Sequence, residues 1–353
     1  MSDAPSWWYR PGGVAAWALS PFSAIFGHIG AMRMAAPPKA VSRLPVLCVG
    51  NFVAGGAGKT PTAIAIAKQV RAMGLRPGFL SRGYGSNAKG AVLVDVKVHN
   101  SRDVGDEPMI LALYATTVVC ADRVAGAALL QSCDVDFIIM DDGFQNPTLR
   151  KDMNVVVVDG GRGVGNGFPM PSGPLRATLA KQMTMADRIL LIGSGAASGD
   201  VVRRAARMAK PIMQADIAVR QGERFDGSKV MAFCGLADPE KFFATLKALG
   251  ADVVEEQAFG DHHAYSAGEC RELMSRASEL GMPLVTTQKD EVRLVRAGEA
   301  QAELRKAIDV LVIDLLFETE RTVTSLIEDT RKRAATYRLK NPANIADAAQ
   351  PES

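Results

Sequence analysis

From Leu44 onward, short runs of consecutive apolar residues alternate with segments whose apolar positions recur at helical spacing. Residues 46–49, 91–94, 117–120, 137–140, 155–158 and 189–192 each read as strands that are apolar along their whole length. That pattern belongs to parallel strands covered on both faces. Helical segments lie between many of them, for example 123–131, so the alternation predicts an α/β fold with a doubly wound parallel sheet. A second series begins near Val230. Its strands are expected at 230–234, 253–256, 283–287 and 310–316, and its helices around 239–249, 267–280 and 320–337. The polar stretch at 220–228 marks the expected boundary. The chain thus divides into an N-terminal helical segment (1–43), a core (44–225), a smaller C-terminal α/β domain (226–340) and a tail (341–353) rich in Ala, Asn and Pro that is expected to fray.

Composition adds exclusions. The 353 residues are 48% hydrophobic and 22% charged, which fits a globular chain and rules out disorder, collagen and a simple coiled coil. Residues 1–50 carry Arg10, Arg33, Lys39 and Arg43 against Asp3, a net +3 that equals the charge of the whole chain. A neutral body with a small basic head lacks the clustered positive face that nucleic acid requires. The five cysteines are odd in number, widely spaced and without C-x-x-C, which predicts a reducing compartment and neither disulfides nor a zinc site.

The head has its own pattern. No Lys, Arg, Asp or Glu occurs between Arg10 and Arg33, a stretch containing Trp17, Phe22, Ile25, Phe26 and Ile29. Pro21, several glycines and His28 dilute it as a membrane span. Trp7, Trp8 and Tyr9 beside Arg10 have the character of an interfacial anchor, and the basic residues that follow suit anionic headgroups. An interfacial helix, a span and a helical hairpin packed on the protein's own core all remain open.

The strongest chemical motif is Gly50-Asn51-Phe52-Val53-Ala54-Gly55-Gly56-Ala57-Gly58-Lys59-Thr60-Pro61, after one predicted strand and opening a helix. Glycines there let backbone N–H groups converge on phosphate oxygens at a helix start. Lys59 would reach the terminal phosphates and the Thr60 hydroxyl a Mg²⁺ ion. Val53 departs from the strict pattern, which places glycine six residues before the lysine. An apolar strand ending in Asp141-Asp142 supplies the acids that hold such a metal, directly or through water. A bare Gly-rich turn and a bare acidic turn are the plainer readings of each motif, and their pairing favours nucleotide and metal.

Candidates for the acceptor side are weaker individually. Gly105-Asp106-Glu107-Pro108 opens a helix, where acids are ordinary caps. His262 and His263 are two of only four histidines, and His262 could form a base dyad with Asp106 if the fold joins them. Arg82, Arg123 and Arg176 lie at loop or helix starts, where a cation can stabilise a transferring phosphoryl group. Thr287-Gln288-Lys289-Asp290 superficially fits a guanine-reading tetrad and warns about ATP versus GTP.

Taken together, these segments resemble the tetraacyldisaccharide 4′-kinases, the lipid A 4′-kinases of Gram-negative bacteria. The matching pieces are Gly50-Asn51 with the 55–61 loop, 81–85, 105–108, 141–145, Gly165-Asn166-Gly167 with 171–176, Asp261-His262 and 287–290, spread over about residues 44–295. The resemblance implies transfer of the ATP γ-phosphate to the 4′-hydroxyl of a tetraacyldisaccharide 1-phosphate, making lipid IVA at the cytoplasmic face of the inner membrane. It implies a P-loop kinase core with a membrane-associated N-terminal segment, ATP and Mg²⁺ as cofactors, and no obligate protein partner. By the same carry-over, Asp106 is similar to the catalytic base and His262 to its partner. Asp141 and Asp142 occupy the acidic metal position with Thr60. Lys59, Arg123 and Arg176 resemble the groups that act on the phosphates, with residues 53–60 and Gln145 binding nucleotide. Ala177 departs from the family, which commonly carries Glu there. A membrane-recruited switch ATPase is the main rival, but such loops usually carry lysine just before the Gly pair, where this chain has Ala54. A GTP-dependent metal-insertion chaperone is disfavoured by the absence of C-x-x-C and by a single His-His pair.

Overall fold

The computed structural model describes residues 5–10 and 12–341, so the expected fraying beyond Asn341 lies outside the described residues. Among the described residues, thirteen strands form two sheets. Those of the larger sheet are β1 (Val46–Asn51), β2 (Pro77–Ser81), β3 (Val92–Leu93), β4 (Thr116–Val119), β5 (Phe137–Asp141), β6 (Met153–Asp159), β7 (Arg188–Ile192) and β8 (Ile212–Val219), joined by β13 (Ile313–Phe317). The smaller sheet holds β9 (Lys229–Cys234), β10 (Asp252–Ala258), β11 (Leu284–Thr287) and β12 (Ile308–Leu311). The larger sheet runs β13-β8-β7-β6-β1-β5-β2-β4-β3, parallel except at its two antiparallel edges. The smaller, ordered β10-β9-β11-β12, is parallel throughout.

The larger sheet has apolar cores on both faces. One holds Ile66 and Val70 of the helix Lys59–Ala72 with Met109, Leu326 and Ile327; the other holds Leu130, Met183 and Val201. This is the doubly wound arrangement that uninterrupted apolar strands require.

Three sequence expectations are corrected. Residues 91–94 are a two-residue antiparallel edge rather than a buried strand, with Leu93 exposed. The single strand expected at 310–316 is two strands in two different sheets, broken at Val312. The chain therefore does not stay in a second domain up to 340: β13 returns to the larger sheet, and the helix Glu320–Lys340 packs Val323, Leu326 and Ile327 into the first core. β2 and β8 were also unread. Gly78 interrupts β2, where a Cβ would come within 2.8 Å of Val135 and 3.0 Å of Leu130 in the helix Arg123–Ser132, so close packing selects the glycine. β8 alternates buried and exposed positions over Met213–Asp216, giving no continuous apolar run.

The head folds as helices Val14–Ala18 and Ser20–Ala35. No helix among the described residues is long and apolar enough to cross a membrane. The aromatic cluster is docked on the protein itself: Trp8 Nε1 donates to the Pro171 carbonyl at 3.0 Å, and the Arg162 guanidinium lies 5.4 Å from the Tyr9 ring centroid. The Ser20–Ala35 helix packs through small residues. A Cβ on Gly27 would meet Pro169 at 2.6 Å, and one on Gly30 would meet the Arg176 carbonyl at 2.9 Å. Its other face leaves Phe22, Ile25, Ile29 and Met32 more than half exposed, beside an equally exposed Trp17.

Candidate active site

At the end of β1 the chain turns through Gly55 (φ +101°) and Gly58 (φ +84°), left-handed values that favour glycine, into the helix Lys59–Ala72. Lys59 Nζ folds back to donate to the Gly55 carbonyl at 3.1 Å, and Asn51 Nδ2 donates to the same oxygen at 3.0 Å. Val53, the departure from the strict motif, forms an antiparallel bridge with Leu175, and the Ala54 amide donates to the Pro174 carbonyl at 2.8 Å. The front of the loop is thus tied to the 174–176 segment, which substitutes for a glycine turn. Gly56 and Ala57 complete the loop ahead of Lys59 and Thr60.

β5 delivers the two acids. Asp141 Oδ2 accepts from Thr60 Oγ1 at 3.4 Å, while Oδ1 is buried without a hydrogen-bond partner. Burial, and then the neighbouring Asp142 charge, push the Asp141 carboxyl up to about 7. A buried carboxylate with an orphaned oxygen beside a hydroxyl suits a divalent cation, which would supply the missing partner and offset the repulsion. No group of three or more His, Cys, Asp or Glu among the described residues could hold a metal unaided. A Mg²⁺ ion here would draw remaining ligands from phosphate and water. Asp142 (φ +51°) is engaged differently: Arg176 grips it through two hydrogen bonds of 2.7 and 3.1 Å, and Lys59 Nζ lies 3.9 Å away.

Gln145 braces this arrangement. Its Oε1 accepts from Arg176 at 3.3 Å and its Nε2 donates to the Asn51 carbonyl at 2.8 Å. Ala177, next to Arg176, is fully buried where the Ser20–Ala35 helix crosses at Gly30. Arg123 is buried, donates to the Cys120 carbonyl and makes no salt bridge among the described residues; burial holds its guanidinium below its ordinary pKa. Arg82 is exposed.

A second cluster forms at the seam between the sheets. Gly105 (φ +96°) turns the chain into the helix Asp106–Ala112. Asp106 Oδ2 lies 2.8 Å from His262 Nδ1, so the fold joins the two residues the sequence left apart. Arg293, absent from the sequence candidates, donates through Nε to that same Oδ2 at 2.8 Å. Burial pushes the Asp106 carboxyl up, but His262 and Arg293 outweigh it and hold the group below its ordinary value. The Asp106 hydrogen bond raises His262 in turn, against the pull of desolvation.

The tetrad 287–290 explains how Arg293 is held. Asp290 is fully buried and accepts from the Gly235 amide (2.9 Å), the Tyr265 hydroxyl (2.8 Å), Thr287 Oγ1 (2.5 Å) and Arg293 Nη1 (2.8 Å). A carboxylate so enclosed cannot read a nucleobase; it is a strut. Lys289 pairs with Glu107 at 2.7 Å. Glu107 also makes a minor contribution to the charge environment of Lys59 and Asp141. The one sequence trace of Arg293 was its position three residues beyond Asp290, on one helix face.

Residues 15–331 match the family model described as tetraacyldisaccharide-1-P 4′-kinase. The tetraacyldisaccharide 4′-kinase of Rhizobium meliloti (strain 1021) is 46% identical over 344 residues, covering 96% of this chain and 98% of its own. That of Agrobacterium fabrum (strain C58 / ATCC 33970) is 45% identical over 328 residues, covering 93% and 94%. Among solved structures, LpxK from Aquifex aeolicus in complex with ATP superposes with a TM-score of 0.69 at 26% identity, covering 89% of this chain and 99% of that one. The chain belongs to the tetraacyldisaccharide-1-P 4′-kinase family.

Proposed function

We propose that this family member transfers the ATP γ-phosphate to the 4′-hydroxyl of a tetraacyldisaccharide 1-phosphate, forming lipid IVA in lipid A biosynthesis. The observation that carries the mechanism is a P-loop beside the acids of β5, with a buried Asp106 held 2.8 Å from the part-exposed His262 at the seam. Phosphoryl transfer asks a protein chiefly for positioning and charge neutralisation. In this reading the 53–60 loop cradles the phosphates, and Lys59 leaves the Gly55 carbonyl to meet the transferred group. Thr60 and Asp141 would hold Mg²⁺, which supplies charge neutralisation on the phosphates when bound. Asp142 orients Arg176, Gln145 fixes that pair, and Arg123 adds positive potential from below. Asp106 takes the proton of the attacking hydroxyl late in the transfer, with His262 holding its orientation.

The acyl chains need not enter the seam. The exposed apolar face of the Ser20–Ala35 helix supports docking at the cytoplasmic surface of the inner membrane, with only the disaccharide reaching the loop. The larger sheet, including β13 and the last helix, is then the kinase core, and the smaller sheet carries His262 and closes on substrate.

The test is phosphate transfer from γ-labelled ATP to a tetraacyldisaccharide 1-phosphate in detergent micelles, with Lys59→Ala and Asp106→Ala alongside. Labelled lipid from wild type alone is the expected result. ATP hydrolysis without labelled lipid would sink the lipid-kinase reading in favour of a switch ATPase.

A further inference from the structure

We propose that Arg293 is a positioning residue for the catalytic base: anchored by Asp290 and Gly235, it fixes Asp106 through Oδ2 so that Oδ1 receives the proton of the attacking hydroxyl. This rests on the kinase reading above. Both hydrogen bonds to the Asp106 carboxylate, from His262 and Arg293, fall on Oδ2. Oδ1 accepts none among the described residues and is not one of the enclosed polar atoms. One oxygen is therefore locked and the other left to act. The step balances: the hydroxyl proton passes to Oδ1, its oxygen forms a bond to the γ-phosphorus, and the bond to the ADP oxygen breaks, that oxygen keeping the electron pair.

Arg293 meets three partners at once, on two helices and in the loop after β9. Nε faces Asp106, while Nη1 donates to Asp290 and to the Gly235 carbonyl at 2.7 Å. A planar guanidinium can hold that fork; a lysine, with one nitrogen, cannot. Nη2 is buried and has no hydrogen-bond partner, although the Arg293 side chain is only 4% exposed. The bonded nitrogens of Arg293 are committed to Asp106 on one side and to the Asp290–Gly235 anchor on the other. Other charges face the carboxylate as well: Glu107 on its own helix, Lys289 and Asp290 beside Arg293, and Asp261 beside His262. Lys289 is occupied by Glu107, so removal of Arg293 leaves His262 as the remaining side-chain hydrogen-bond partner of Asp106 among the described residues.

The experiment compares wild type with Arg293→Met and Arg293→Lys in labelled-phosphate transfer, varying Mg·ATP up to saturation at each of a series of pH values. The expected result for Arg293→Met is a kcat roughly 10- to 100-fold lower with KM for ATP within about twofold. Its acid limb should move to higher pH by about one unit, because the base loses a cation that favours its ionised form. Arg293→Lys should show a smaller shift of the same sign. Titrations of ATP and of the lipid phosphate are common to all three proteins and cancel in the comparison. Wild-type kcat in Arg293→Met overturns the proposal. So does a lowered kcat and lowered thermal midpoint with the acid limb unmoved, since a merely structural residue gives that pattern. If Arg293→Met does not fold, the limb of Arg293→Lys decides alone, and an unmoved limb overturns the proposal. Absence of transfer by wild type would be a failure of the kinase reading, not of this inference.

Discussion

The phosphate loop and the Asp106 cluster are built in opposite ways. The loop is one contiguous segment between β1 and its helix, closed by Gly55 and Gly58, so its chemistry is local. The Asp106 cluster gathers Gly105–Glu107, Gly235, His262–Tyr265 and Thr287–Arg293, with 187 positions of sequence separating Asp106 from Arg293. Its parts come from both sheets and meet only at their seam. A nucleotide's phosphates are common to many enzymes and suit a portable motif, whereas an acceptor's base must be aimed by the particular fold.

The largest test separates the two poles kinetically. Lys59→Ala should lower kcat on the order of 10³-fold and weaken nucleotide binding as well, because it removes a phosphate-facing cation. Asp106→Asn should cost on the order of 10²-fold or more in kcat while leaving ATP affinity near wild type. Fluorescent-nucleotide titration beside the transfer assay distinguishes them; equal loss of ATP binding in both variants would break the distinction.

A second test asks whether the loop is as self-contained as it looks. Gly30→Ile forces a side chain against the Arg176 backbone, where relief requires main-chain movement. It should destabilise the protein by about 1–3 kcal/mol in urea unfolding and lower kcat through Arg176 and the tethered loop front. Unchanged kcat at lowered stability would show that the N-terminal helix is mechanically separate from the phosphate pole.

Asp141→Asn sharpens the contrast in sign. It removes a buried charge that repels Asp142, so the nucleotide-free protein should gain about 1–2 kcal/mol at neutral pH while losing transfer activity. Thermal unfolding with and without Mg·ATP checks it; added Mg·ATP should stabilise wild type more than the variant.

The smallest effect concerns the seam's own stability. The Asp106 pKa is depressed, so its contribution is present above its unfolded value of 3.8 and is lost as pH falls through the lower folded value. The His262 pKa is raised, so its contribution is complete below 6.5 and is lost as pH rises through the higher folded value. His262→Asn should therefore destabilise most between those limits, by under about 1 kcal/mol because the imidazole is partly exposed, and least in alkaline buffer. Denaturant midpoints across pH measure this; a penalty that grows with pH would reverse the assignment.

Much of the fold was legible because apolar strands buried on both faces announce themselves. β1, β5, β6 and β7 fall where continuous apolar runs placed them. Where burial was partial or a glycine served close packing, as in β8 and β2, the same rule was silent. The run 310–316 shows a deeper limit, since nothing in its apolar pattern marks that Val312 divides two sheets.

The sites divide along the same line. Glycines at positive φ, a lysine and a hydroxyl at a helix start, and acids at a strand end are local requirements, so the sequence by itself determined where the proposed nucleotide pole lies. It also named Asp106 and His262 as candidates. That the two lie 2.8 Å apart, that the contacts from His262 and Arg293 both fall on Asp106 Oδ2, and that Thr287–Asp290 is a strut for Arg293 depend on how the smaller sheet docks against the larger. Only the tertiary structure decided those points, because burial and convergent partners, not residue type, select which carboxylate can serve as a base.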